Sequence, residues 1–285
     1  MIFKKSLLAI SLLLLITSCK KKHTTDSSVA LQTNFTNVAY GTDPAQAMDV
    51  YLPPNRNMSE TKVLVMIHGG GWSSGDKTDM NAYVDTFRRR FPDYAVFNIN
   101  YRLAGLAVNL FPAQEQDVKA AIEFIYSKRA TYAISDKFAL IGASAGAHLA
   151  LLQAYKYETP VKIKAIIDFF GPADMKAMYT DPAFPGGDTV ISRVTGTTPS
   201  LDSVLYAQSS PINFIVATST PTFILHGGAD MIVRPAQSDS LFARLDSANV
   251  VATYVKYPTQ SHGWYGDTLS NSFNIIQPFL ISRMQ

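Results

Sequence analysis

Five residues in the middle of the chain, Gly142-Ala143-Ser144-Ala145-Gly146, set one hydroxyl among small side chains. The apolar run before them, Phe138–Ile141, has the pattern of a strand buried on both faces. From Ala145 on, the sequence reads as a helix. No residues are left over for a loop, so the chain must turn sharply at Ser144. Such a turn lifts the hydroxyl above the carboxyl end of a sheet. It also sets a helix N-terminus, with free N–H groups, under any negative charge that develops there. The chemistry this suits is nucleophilic attack, but a serine hydroxyl is a poor nucleophile unless a base takes its proton.

The chain has five histidines. His23 precedes the folded body. His148 lies one helical turn after Ser144 and reads as a packing and hydrogen-bonding residue. His68 and His226 each end an apolar run and precede glycines, so they read as loop braces. His262, in Gln260-Ser261-His262-Gly263-Trp264, follows the final strand-like run and can reach Ser144 from a loop above the sheet. An imidazole base needs a carboxylate to hold its tautomer and stabilise its charged form. Asp230, in His226-Gly227-Gly228-Ala229-Asp230, follows a core strand between the serine and the histidine. It could equally be a turn or helix cap. Asp168 and Asp174 are the other candidates. Donors for an oxyanion are expected from His68-Gly69-Gly70-Gly71-Trp72, where three glycines let the backbone approach a ligand. The expected N–H groups are those of Gly70, Gly71 and Ala145, with Trp72 a further possibility.

These residues need a frame. The chain has 285 residues, of which 47% are hydrophobic and 16% charged. That suits one large α/β domain. Val38–Leu52 alternates like an antiparallel edge hairpin. Strands are predicted at Lys62–Ile67, Tyr94–Tyr101, Phe138–Ala143, Val161–Phe170, Pro221–Leu225 and Val250–Tyr257. Helices are predicted at Asp79–Arg90, Ala113–Arg129, Pro235–Asn249 and Phe273–Arg283. Strands alternating with helices imply a mostly parallel central sheet with helices on both faces. Asp174–Ile215 breaks the rhythm. It is rich in Pro, Gly, Thr, Ser and Asp, and reads as an irregular, lid-like insertion over a site.

The first residues stand apart. Lys4 and Lys5 precede a short apolar segment, Ser6–Ile16, which ends in Ile16-Thr17-Ser18-Cys19. This resembles a bacterial lipoprotein signal, cut before a cysteine that is then lipidated; the alternative is an ordinary secretory signal in which Cys19 is incidental. The division expected is a signal peptide at 1–18, a lipidated tether at 19–33 and the folded domain at 34–285. Membrane attachment through Cys19 would place the protein in the bacterial cell envelope. Cys19 is the only cysteine, so no internal disulfide can form. The whole chain carries 25 Lys and Arg against 22 Asp and Glu; without residues 1–18 the count is 23 against 22. Near-neutrality leaves no electrostatic case for nucleic-acid binding.

From Val38 to the C-terminus the chain resembles α/β-hydrolases of the hormone-sensitive-lipase and feruloyl- or acetyl-esterase type. The matching segments are Asp49-Val50-Tyr51-Leu52-Pro53, His68 to Trp72 with Ser74-Gly75-Asp76-Lys77, Asn100-Tyr101-Arg102, Phe111-Pro112-Ala113-Gln114 with Asp117, the Ser144 turn, His226 to Asp230, and His262-Gly263. The order Ser144, Asp230, His262 is that fold's order of nucleophile, acid and base. The resemblance implies ester hydrolysis with no cofactor, and a place outside the cytoplasm suggests small or glycan-linked acyl esters as substrates. Ala147 and Met231 stand where many relatives have Gly and Pro, which bears on pocket shape. Arg102 and Asp117 read as a structural ion pair. Trp72 and Trp264 are candidates for the substrate pocket. An amidase or exopeptidase of the same fold, and a non-catalytic binding protein on the same scaffold, are the alternatives. Two Ser-x-x-Lys matches, at Ser59 and Ser74, lack the Lys-Thr-Gly that a penicillin-binding site needs. No metal-ligand spacing and no phosphate-binding glycine loop is present.

Overall fold

The computed structural model describes Met1 and residues 33–285. The expected signal peptide, Cys19 and nearly all of the tether lie outside the described residues. Eight strands form one sheet: β1 (Asn34–Ala39), β2 (Ala47–Tyr51), β3 (Val63–Ile67), β4 (Ala95–Ile99), β5 (Phe138–Ala143), β6 (Ala165–Phe169), β7 (Thr222–Gly227) and β8 (Ala252–Tyr257). Their spatial order is β1-β2-β4-β3-β5-β6-β7-β8. The β1–β2 and β2–β4 pairs are antiparallel, as the alternating hairpin pattern implies, and every pair from β4 to β8 is parallel.

Central strands such as Val63–Ile67 and Ala165–Phe169 are buried along their whole length. Continuous apolar runs are what a sheet covered on both faces requires. Successive side chains point to opposite faces. Val63, Val65 and Ile67 join one core, with Val118 and Ile122 of α2 (Ala113–Ser127), Leu149 of α4 (Ala145–Lys156) and Leu241 of α8 (Ala236–Ser247). Leu64 and Met66 join the other, with Phe87 of α1 (Asn81–Arg90) and Phe273 and Ile276 of α9 (Gly266–Arg283). A short helix, α3 (Arg129–Tyr132), follows α2.

Three expectations need correction. The 174–215 insertion is not irregular. It holds α5 (Met175–Thr180), α6 (Gly187–Thr195), α7 (Ser203–Gln208) and a 3₁₀ turn at Pro211–Phe214. Its loop-like residues are helix caps. Asp174 accepts from the Ala177 amide, Asp202 accepts from the Leu205 amide, and Gly186 and Gly196 flank α6 in left-handed conformation. The final helix begins at Gly266 rather than Phe273 and runs through Pro278. Leu269 is the one apolar side chain in its first two turns, so apolar periodicity does not mark them. Pro278 sits on the exposed face, where the carbonyl it leaves unbonded meets water. The strand predicted over Val161–Phe170 is only Ala165–Phe169. Among the described residues no helix is long and apolar enough to cross a membrane.

Candidate active site

Everything chemical lies at the carboxyl ends of the parallel strands, where open α/β sheets hold their ligands. Ile67 at the end of β3 pairs with Gly142 of β5, so the glycine loop after β3 and the turn after β5 emerge side by side. Ser144 has φ 55 and ψ −122, a strained conformation for a residue with a side chain. Its amide bonds the Phe169 carbonyl at 2.8 Å, which anchors the turn to β6. The turn is possible because α4 starts against β3. A Cβ on Gly146 would lie 2.1 Å from the Ile67 carbonyl oxygen and 2.4 Å from that of His68.

His262 Nε2 is 3.0 Å from Ser144 Oγ, and its Nδ1 is 2.7 Å from Asp230 Oδ2. A carboxylate only accepts, so Nδ1–H donates to Asp230. Nε2 is then free to accept the serine hydroxyl proton. The His262 ring rests against Phe170, with centroids 4.6 Å apart. Two backbone bonds tie the acid's loop to the base's loop: Gly228 N to the Tyr257 carbonyl at 2.7 Å and Ala229 N to the Gln260 carbonyl at 2.9 Å.

Asp230 Oδ1 accepts from the amides of Ile232 and Val233 at 2.8 and 3.0 Å. Burial would push its carboxyl up, but hydrogen bonds from His226 and His262 overcome this and hold it well below the usual carboxylate range. The other two acids do not reach His262. Asp168 is fully buried on β6 and accepts from the Gly171 amide, and Asp174 caps α5.

The glycine loop lies against the serine: a Cβ on Gly69 would sit 3.2 Å from Ser144 Cβ. Its carbonyls are tied back. Ser74 Oγ and the Ser73 and Ser74 amides donate to the Gly70 carbonyl at 2.8, 3.2 and 2.9 Å. The Tyr101 hydroxyl donates to the His68 carbonyl at 3.0 Å, and His68 Nδ1–H donates to the Gly69 carbonyl at 2.7 Å. Gly70 takes φ 104, and any Cβ there would strike the Ser74 carbonyl oxygen at 2.1 Å. Among the described residues the N–H groups of Gly70 and Gly71 have no hydrogen-bond acceptor. Both residues line the cavity that holds Ser144 and His262. Ala145 opens α4, so its N–H has no carbonyl a turn earlier to bond.

That cavity measures about 580 Å³, and its walls are mostly apolar. Met178, Phe184, Gly187 and Val190 come from the insertion. Trp72 and Trp264 both line it, yet each is nearly wholly buried and spends its N–H inside the protein. Trp264 Nε1–H donates to Ser272 Oγ at 2.9 Å; Trp72 Nε1–H donates to His148 Nδ1 at 3.1 Å. His148 Nε2–H then donates to the Ser209 carbonyl in the insertion at 2.7 Å. The expected packing role of His148 is what it performs. Arg102 and Asp117 form a 2.7 Å ion pair with the Asp117 side chain almost fully buried, a structural contact away from the cavity. The link from Trp72 through His148 to the insertion carries no motif that spacing alone would single out. Among the described residues no group of three His, Cys, Asp or Glu side chains is arranged to hold a metal.

The family described as BD-FAE matches residues 48–245 of this chain. Esterase LipC from Mycobacterium tuberculosis is 25% identical over 240 residues, covering 80% of this chain and 59% of its own. Dipeptidyl aminopeptidase BIII from Pseudoxanthomonas mexicana is 23% identical over 75% of this chain and 32% of its own. The chain spans between 50% and 59% of the length of the three curated esterases it matches. A solved truncated carbohydrate esterase from gut microbiota superposes with a TM-score of 0.75 at 24% identity, covering 90% of this chain and 98% of its own. The shared architecture is the α/β-hydrolase fold.

Proposed function

This chain belongs to the BD-FAE family, and from that premise we propose that it is a serine-dependent carboxylic ester hydrolase. One observation carries the reading: a single imidazole, His262, lies 3.0 Å from a strained serine hydroxyl and 2.7 Å from a buried carboxylate. Ser144 Oγ attacks the ester carbonyl while His262 Nε2 takes its proton. Asp230 holds the resulting imidazolium. The tetrahedral oxyanion is received by the N–H groups of Gly70, Gly71 and Ala145. His262 then gives its proton to the departing alcohol, leaving an acyl-enzyme. Water, activated by the same imidazole, releases the acid and restores the serine.

The substrate class is small or glycan-linked acyl esters. Support comes from the apolar cavity, which suits an acyl group, and from the likeness to a carbohydrate esterase. Lipidation at Cys19 and a place in the bacterial envelope belong to the same reading, supported by Lys4, Lys5 and the apolar run ending at Cys19. A second reading, cleavage of an amide or peptide bond by the same trio, draws on the likeness to the dipeptidyl aminopeptidase. A fluorophosphonate probe on the purified chain lacking residues 1–19 separates catalysis from a silent binding role. A single covalent adduct on Ser144 supports the ester hydrolase; no adduct on the folded protein counts against it. Release of alcohol from esters without release of amine from matched amides decides against the second reading.

A further inference from the structure

Asp230 serves two histidines. His226, next to last in β7, has a wholly buried side chain, and its Nε2 lies 3.1 Å from Asp230 Oδ2. That is the same oxygen that receives His262 Nδ1–H. His226 Nε2 also lies 2.9 Å from the Val233 carbonyl, and its Nδ1 lies 2.7 Å from Ser238 Oγ on α8. A carbonyl and a carboxylate can only accept. Two acceptors at Nε2 therefore place a proton there, hydrogen-bonded to the Val233 carbonyl with Asp230 Oδ2 3.1 Å away. In the neutral ring Nδ1 then accepts from the Ser238 hydroxyl. The opposite tautomer would turn a nitrogen lone pair toward two oxygens and donate to neither.

We infer that His226 is a positioning residue for the catalytic trio: its Nε2–H, oriented by Ser238, holds Asp230 Oδ2 on His262. This rests on the ester-hydrolase reading above. The Ile232 and Val233 amides bond Oδ1, His262 Nδ1–H bonds Oδ2, and His226 Nε2 stands 3.1 Å from that same Oδ2, so polar hydrogens face both carboxylate oxygens. The carboxylate is thereby fixed in rotation. It also shares its charge between two donors, which moderates its pull on the His262 imidazolium. The Asp230 side chain has no exposed surface, so no water can replace a lost donor. Other titratable groups near His226 are few. Asp168 on β6 interacts with it electrostatically. Lys256, its register partner on β8, is paired with Asp239 of α8.

The test compares His226→Phe with His226→Gln on p-nitrophenyl butyrate, with rates expressed per phosphonate-titrated site. The glutamine amide nitrogen can stand where Nε2 stands; phenylalanine keeps the ring and has no donor. His226→Phe is expected to lower kcat about 10- to 100-fold, with KM within about twofold. It is also expected to move the acid limb of the kcat/KM profile upward by about half a pH unit or more. His226→Gln should restore most of kcat and the wild-type limb. An unmoved acid limb and kcat in the Phe variant, or a Gln variant as damaged as Phe, would overturn the inference. The wild type supplies a second measurement that needs no variant. Nitrogen-15 histidine spectra, assigned to His226 through its contacts with Ser238 and Val233, should show its proton on Nε2, separately from the equally buried His148 ring, which is protonated on Nε2 as well. A proton on Nδ1 alone would overturn the inference. A wild type with no ester activity would sink the hydrolase reading, whereas the nitrogen spectrum decides on His226 by itself.

Discussion

Trp72 Nε1–H donates to His148 Nδ1 at 3.1 Å, joining the residue that follows the glycine loop to the helix that begins beside Ser144. The rings meet edge-on with centroids 5.1 Å apart. Trp72 itself sits at φ 59, so the loop leaves the glycines under strain and relies on this anchor. Trp72→Phe keeps the aromatic bulk and deletes the donor, leaving a buried nitrogen unpaired. Stability is expected to fall by about 1–3 kcal/mol. The loosened loop should lower kcat more than it raises KM. Thermal unfolding and steady-state kinetics check both, and a variant with wild-type Tm and kcat contradicts the anchoring role.

Two buried groups make stability depend on pH in opposite senses. Burial pushes the His148 imidazole down to about 4 from 6.5. Between those values the unfolded chain binds a proton that the folded chain refuses, so this group makes stability rise with pH. Burial pushes the Asp168 carboxyl up to about 7 from 3.8. Between those values the folded chain keeps a proton that the unfolded chain releases, so this group makes stability fall as pH rises. Asp168→Asn removes only the second effect and keeps an acceptor for the Gly171 amide. Its Tm is expected to climb more steeply than that of the wild type from pH 4 to 6.5, and to gain further on it toward pH 8. Parallel Tm curves would contradict the assignment.

Gly146 is where the turn has no slack. An added Cβ would meet backbone carbonyls of Ile67 and His68, not a flexible side chain. Gly146→Ala is expected to lower stability by at least about 1–3 kcal/mol. It should also cut kcat sharply by displacing Ser144 from His262. Denaturant unfolding with ester kinetics tests this. Unchanged stability would mean that α4 can move off β3 freely.

Phe184 and Val190 bring the insertion into the cavity wall. Phe184→Ala is expected to raise the kcat/KM ratio of octanoyl to acetyl esters by about threefold or more, while leaving acetyl turnover nearly unchanged. An unchanged chain-length profile would remove the insertion from specificity.

The parts of the site that sequence made legible are those that follow a core strand directly. Ser144, Asp230 and His262 each come just past an apolar run, and the glycine loop carries its own motif. What stayed hidden depends on packing between distant segments. His226 reads as a loop brace and His148 as a packing and hydrogen-bonding residue, and each holds something specific: His226 holds Asp230, while His148 holds Trp72 and the insertion. The 174–215 segment reads as irregular although it is helical, because Asp, Gly and Pro serve helix caps as readily as loops. The start of α9 shows no apolar stripe, because Leu269 is the one apolar side chain in its first two turns.

The central claim is that Ser144 is the nucleophile. The most direct measurement compares hydrolysis of short- and medium-chain p-nitrophenyl esters by the chain lacking residues 1–19 and by its Ser144→Ala variant. Loss of activity by several powers of ten in a variant that keeps the wild-type Tm is expected. Equal activity in the two proteins would contradict the claim and leave Ser144 a turn residue only.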